Sequence, residues 1–309
     1  MQETKLLRKK KFFGNRRETI LFFVYVSPWI VGVLAFVLIP MGTSLYFSFH
    51  SATLASMYLV PPKFAGFDNY IRIFKDEVFL GSIGTTFLFA FVKIGASVIV
   101  STLFALLLNR PLLFKRISRT LIYIPAVIPV VGSALVWQQM FSSDFSIINY
   151  FLSFLGIPSV QWLSYKNALW SVILMSTWCS VGPTMILLIA AFQNIPRDII
   201  EAARMDGANP VTVFFKISLP FVSPTYLYVV ITGLIGALQA YSEMQLMTGG
   251  GPGYVTTTMA MVVVNNTFGS LGIGYASAQA WFLFIIILIF TIIFFKGSGK
   301  VVYYVDEGQ

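Results

Sequence analysis

Residues 194–220 read NIPRDIIEAARMDGANPVTVFFKISLP, and this stretch decides how the rest of the chain is arranged. It is the one long polar-patterned segment set between two strongly apolar ones. Asn194 followed by Pro196 suits the start of a helix, as N-cap and first-turn proline. Ile199, Ile200, Ala202 and Ala203 then fall on one face, and Arg197, Asp198, Glu201 and Arg204 on the other. Gly207 suits the left-handed position that ends such a helix. Asn209 and Pro210 cap a second short helix that runs towards Ile217, with Pro220 closing it. The pattern therefore spells helix, glycine corner, helix. Held between apolar segments, a short bent rod can push on a partner or be pushed by one. An amphipathic helix lying on a membrane surface is the other reading of the pattern, although such helices do not usually carry a glycine corner.

The composition says what lies on either side. Of 309 residues, 57% are hydrophobic, 16% aromatic and only 11% charged, where a soluble domain carries about 25% charge. That is an integral membrane protein of all-α class. A spanning helix needs about 20 apolar residues, and six runs qualify, at 20–41, 84–108, 119–140, 168–192, 221–243 and 274–295. Pro28, Pro40, Pro125, Pro129 and Pro183 fall inside them, which spans tolerate when neighbours re-satisfy the freed backbone. Pro125 and Pro129, in YIPAVIPV, are placed to bend the third span towards a central pathway. The chain is read as a basic tail (1–17), a six-span body (18–296) containing the 194–220 loop, and a short tail (297–309). No cleavable signal peptide is expected, since the first apolar run is long and lacks a small-residue cleavage site.

Lysine and arginine orient the spans. The two tails, the loop after the second span and the 194–220 loop together hold 16 of them, and the opposite loops hold 4, namely Lys63, Arg72, Lys75 and Lys166. This bias places both termini and the glycine-cornered loop in the cytoplasm. It also accounts for much of the net charge of +9, so the basic tail is expected against anionic lipid and calls for no nucleic acid. The single Cys179 cannot form an intrachain disulfide and reads as core filler. His50, the only histidine, has no second ligand nearby in sequence to make a metal site.

Motifs across the chain point the same way. Glu201-Ala202-Ala203, Asp206-Gly207-Ala208 and Ile217-Ser218-Leu219-Pro220 resemble the EAA loop of ABC-importer permeases. Gly66, Asn69, Tyr70 and Phe74 resemble a stretch that sugar-type permeases carry between their first two spans, and the run TGGGPGYVTTT at 248–258 resembles the GGP stretch of carbohydrate permeases. Two glycine-rich segments, Gly249 to Gly253 and Gly297 to Lys300, lack the Lys-Ser or Lys-Thr of a phosphate loop. Between the third and fourth spans the family pattern is only partly met, because Ser146 stands where glycine is common.

The resemblance implies a permease subunit of a binding-protein-dependent carbohydrate ABC importer, of the maltose and glycerol-phosphate type, in a bacterial plasma membrane. By that implication Glu201, Ala202, Ala203, Asp206, Gly207, Ala208, Leu219 and Pro220 couple the chain to ATPase subunits. The implied partners are a homologous second permease, two cytoplasmic ATPases that bind ATP and magnesium, and an extracytoplasmic solute-binding protein. The cargo is a sugar, expected to be an oligosaccharide. This chain itself needs no cofactor, no metal and no catalytic residue on this reading.

Sugar sites combine aromatic faces with hydroxyl and amide groups, and the family takes substrate contacts from the spans flanking the loop. Ser176, Trp178, Ser180, Gly233, Ala237, Gln239 and Tyr241 are the candidates for the pathway, although packing inside the bundle accounts for each of them as well. Lys93, halfway along the second span, pairs inside the bundle or snorkels outward, and Glu243 is expected at the water-exposed end of the fifth. A secondary transporter or channel driven by an ion gradient is the competing reading; it needs intramembrane carboxylates, and the spans offer almost none besides Glu243. A membrane enzyme would need a His, Cys or carboxylate cluster, which the sequence does not supply.

Overall fold

In lipid every backbone N–H and C=O must be satisfied within the segment that carries it, so long apolar runs become helices. The computed structural model describes residues 16–53, 61–110, 113–142, 146–269 and 272–298; most of the two expected tails lies outside them. Among the described residues five helices are long and apolar enough to cross a membrane: Thr19–Ser48, Glu77–Asn109, Ala168–Gln193, Pro210–Leu238 and Gly272–Gly297. Two further apolar helices, Lys115–Val127 and Val130–Phe141, meet at 98° and bring the number to six if they cross as one broken span. The stretch expected as a third span over 119–140 is therefore bent rather than one straight helix. The break falls at Ile128 and Pro129, where the backbone turns extended (ψ 127° and 140°), while Pro125 stays inside the first helix. The residue before a proline is steered out of helical conformation, which fixes the place of the bend.

The first span runs past its expected end to Ser48, through a wide π turn at Leu34–Leu38. Its most apolar stretch is left uncovered by the rest of the chain. A two-residue antiparallel pairing, His50–Ser51 with Lys63–Phe64, and the helix Asp68–Ile73 follow it. Here the sequence motif acquires a physical meaning. Asn69 Nδ2 donates to the carbonyls of Ser48 and His50 at 2.9 and 3.0 Å, and Tyr70 donates its hydroxyl to Ser48 Oγ at 2.8 Å. Both residues thereby tie the connecting segment back to the end of the first span. His50 spends Nδ1 on the Tyr46 carbonyl at 2.7 Å and stacks on the Tyr46 ring.

The fifth span differs most from expectation. It begins at Pro210, not at 221, and ends at Leu238, not at 243. Pro220 does not close a short helix; the chain runs on through a π turn at Phe214–Ser218 into the helix Leu219–Leu238. Leu219 donates its N–H to the Phe214 carbonyl five residues back. That wider turn gives the ring of Pro220 room, and at the first turn of the following helix its missing N–H costs nothing.

The connection to the last span holds two more helices, Ser242–Thr248 and Met259–Phe268. Between them the glycine-rich loop is irregular backbone, tolerable beside lipid only if protein covers it. Thr256, Thr257 and Thr258 are buried and supply that cover. Thr257 Oγ1 donates to Gly250 O at 3.1 Å, Thr258 Oγ1 to Ala240 O at 2.6 Å, and Met259 N to Thr86 Oγ1 of the second span at 2.9 Å. Gly250 has φ +88°, and a Cβ there would stand 2.6 Å from Thr257 Oγ1, so glycine is required.

The core is one apolar cluster around Phe79, Phe89, Met175, Leu238, Met244 and Tyr275. A second cluster gathers Leu108, Met185, Leu188, Phe192, Ile195 and Val222 at the end of the bundle near the 194–220 loop.

Candidate functional site

The 194–220 loop folds as a helix, a corner and a helix. The first helix is Arg197–Met205. Asn194 does not cap it: its N–H goes to the carbonyls of Ala190 and Ala191, ending the fourth span, and Pro196 occupies the cap position instead. Pro196 excludes a helical Ile195, so the chain must turn before it can wind again. At the other end Ala208 N–H reaches Ala203 O and Gly207 N–H reaches Arg204 O, both at 3.0 Å, with Gly207 at φ +81°. This is the paired-bond helix ending in which a left-handed glycine satisfies the orphan carbonyls. Asn209 Oδ1 accepts from Thr212 N at 2.8 Å and starts the next helix.

Glu201, Ala202, Asp206 and Gly207 are exposed, Ala203 and Ala208 half-buried, and Leu219 and Pro220 half-buried at the base of the fifth span. Met205 at the tip is 88% exposed. On the inner side Ile195 and Val213 are buried, and Ile200 and Phe214 pack on the second core cluster. The result is an arm with a charged outer face whose inner face is seated on the ends of the second and fourth spans.

A second feature lies deeper. The bend at residues 125–130 opens a cavity of about 480 Å³, bounded by Lys93, Met175, Ser176, Cys179, Ser180 and Glu243. Lys93 Nζ stands 3.8 Å from Glu243 Oε1 and 5.4 Å above the Phe89 ring. Lys93 therefore pairs inside the bundle. Glu243 reaches it from the first turn of Ser242–Thr248, not from the end of the fifth span. Ser180 Oγ donates to the Ser176 carbonyl at 2.7 Å. Ser176 Oγ is buried, with no hydrogen-bond partner among the described residues.

The seven pathway candidates do not converge. Ser176 and Ser180 line the cavity. Trp178 is 40% exposed and packs edge-on against Trp137, ring centres 5.5 Å apart, on another face of the same helix. Gly233 lets the second span approach: a Cβ there would stand 2.7 Å from Ile94 Cδ1. Ala237 is buried core, Tyr241 packs against that core, and Gln239 is exposed at the end of the fifth span. Conversely, Cys179, read from sequence as filler, borders the cavity together with the Lys93–Glu243 pair. Helical spacing carried the signal for Cys179, since it lies three and four residues from Ser176 and Met175.

Against this geometry stands a family model, that of the inner-membrane components of binding-protein-dependent transport systems, which matches residues 97–301. The chain belongs to this family. It is thus a multi-pass membrane component of such a transport system, and the matched region contains both the arm and most of the cavity wall. Among curated relatives, a probable ABC transporter permease, YesP of Bacillus subtilis, is 34% identical over 308 residues, covering 97% of each chain. The trehalose/maltose transport system permease MalF of Thermococcus litoralis is 32% identical over 283 residues, covering 91% of this chain and 94% of its own. A chain in the solved structure of a bacterial ABC transporter involved in the import of the acidic polysaccharide alginate superposes with TM-score 0.80 at 20% identity, over 93% of this chain and 98% of that one. At that identity the match speaks for the fold of the transport component.

Proposed function

We propose that this chain is one permease subunit of an ABC importer for carbohydrates, with an oligosaccharide as cargo. It lines the pathway together with a homologous second permease and hydrolyses no ATP itself. Two cytoplasmic ATPases drive the cycle, and an extracytoplasmic solute-binding protein delivers the sugar. The carbohydrate assignment is carried over from relatives such as the trehalose/maltose permease and from the sequence motifs. One observation carries the mechanical part. The exposed helix Arg197–Met205, turned by Gly207, continues through Pro210 into an unbroken span that ends at Leu238. Closure of the ATPase pair would displace that arm, and the fifth span would follow as a rigid body.

In this mechanism Glu201, on the charged face, anchors the arm in a groove of the ATPase, while Ala202 and Ala203 keep the helix surface low enough for close contact. Asp206, Gly207 and Ala208 form the corner that transmits the push, and Leu219 and Pro220 sit where the arm passes into the membrane. The lysine and arginine bias supports a cytoplasmic arm. Purification of the tagged chain from its native membrane tests the proposal. An ATPase subunit is expected to copurify, and a cysteine placed at Glu201 is expected to crosslink to it. Sugar uptake that persists in vesicles lacking any ATPase would overturn the reading.

A further inference from the structure

We propose that Lys93 and Glu243 form a self-neutralised reading head in the intramembrane cavity, and that they select an uncharged, hydroxyl-rich cargo over an anionic one. The inference rests on the importer reading above and adds the chemical class of the cargo.

The cavity is built from four separate parts of the bundle: the second span, the bend of the third, the fourth span and the helix Ser242–Thr248. Its volume of about 480 Å³ lies within the range of small-molecule sites, roughly 300–1,000 Å³. Ser176 is 3% exposed and its hydroxyl has no partner. A buried hydroxyl left unpaired is costly, and this one lies in the wall of the cavity, just beneath its surface.

The charges decide which ligand. Lys93 Nζ and Glu243 Oε1 are 3.8 Å apart, with side chains only 14% and 19% exposed. That is close enough to cancel each other's field and too long for a hydrogen bond. The ammonium therefore keeps protons to donate and the carboxylate keeps lone pairs to accept, side by side. A sugar diol fits both at once, because one hydroxyl accepts while its neighbour donates. An anionic cargo would have to draw Lys93 away from Glu243. It would then leave a buried carboxylate unpaired beside a second negative charge, a costly arrangement. A discriminating site works by such penalties against the wrong ligand as much as by attraction to the right one.

The chain carries its own reporter. Cys179 is its single cysteine and borders the same cavity. The test uses the full transporter assembly in detergent and measures mixed-disulfide formation at Cys179, with methanesulfinate leaving, by an anionic and a cationic methanethiosulfonate, with Cys179→Ser as background. The ratio of the two rates reports cavity charge, because any change in thiol ionisation affects both reagents alike. In the native assembly the ratio is expected within about twofold of that for an exposed thiol. Glu243→Gln should raise it, and Lys93→Met lower it, by roughly tenfold or more, as one uncompensated charge a few ångströms away would. If either single variant assembles poorly, the Lys93→Met, Glu243→Gln double variant keeps the test alive: it should return the ratio to the native value. In the native assembly maltotriose should slow modification of Cys179 more than trigalacturonate does. A native ratio strongly favouring the anionic reagent, or stronger protection by trigalacturonate, would overturn the inference and leave the importer reading intact. Loss of the importer reading would register separately, as failure of an ATPase to copurify.

Discussion

Tyr275, near the start of the last span, donates its hydroxyl to Asp76 Oδ2 at 2.8 Å, across 199 positions of sequence. The same carboxylate uses Oδ1 to accept from Phe79 N at 3.0 Å, capping the second span, and Arg72 lies 4.5 Å over the Tyr275 ring. One aspartate thus joins the beginnings of two spans. Tyr275→Phe keeps the ring and its contact with Arg72 but removes the bond, and should destabilise the solubilised chain by about 2 kcal/mol. Asp76→Ala removes bond and cap together and should cost about 1 kcal/mol more. Thermal unfolding of the purified variants checks both values; equal melting temperatures for wild type and Tyr275→Phe would show the bond to be idle.

Asn69 offers a comparable case at the end of the first span. Asn69→Leu fills the same space but strips the Ser48 and His50 carbonyls of their donor, with an expected loss of about 3 kcal/mol. Tyr70→Phe, where Ser48 Oγ still bonds the Leu45 carbonyl at 2.7 Å, should lose about 1 kcal/mol. The order of the two effects is the measurement that matters.

Gly182 is the point where the third and fourth spans touch through backbone. A Cβ there would lie 2.7 Å from Ile122 O and 2.8 Å from Tyr123 Cα. Gly182→Val should force the helix Lys115–Val127 outward, lower stability by about 2 kcal/mol and speed alkylation of Cys179 as the cavity loosens. Gly84→Ala, whose added methyl meets nothing within 4 Å, is the matching control: it should leave the rate at Cys179 unchanged and raise stability by about 0.5–1 kcal/mol.

Gly207 tests the arm. No atom crowds its Cβ position, so a substitution there acts through backbone alone. Gly207→Val at φ +81° carries a left-handed penalty of about 1–2 kcal/mol. It should leave the chain in the membrane and reduce sugar-stimulated ATP hydrolysis by at least about tenfold, if geometry at the corner transmits force. Gly207→Asn, which tolerates this conformation, should retain most of the activity.

What could be read from the sequence was what is local. The Gly207 corner and the Asn209 cap each involve residues within about five positions, and both stand where the pattern puts them. Pro220 misled because a proline after a short helix reads as a stop, whereas the π turn before it absorbs the ring. Trp178 stands between Ser176 and Ser180 in the sequence. On a helix, residues four apart share a face, but one two positions away is turned by about 200°, and Trp178 accordingly looks elsewhere. The Lys93–Glu243 pair spans the fold, and no local rule brings such residues together.

The continuity of Pro210–Leu238 sets the scale of any working stroke. At 1.5 Å per residue this 29-residue helix is about 43 Å long. If it pivots about its lower end, a tilt of about 5° sweeps its far tip through about 4 Å, close to the thickness of a sugar ring. Two places along the rod are soft enough to swallow that angle, the wide turn at Phe214–Ser218 and the helix around Pro224. Whether both stay wound decides if a nudge at the base becomes an opening at the tip.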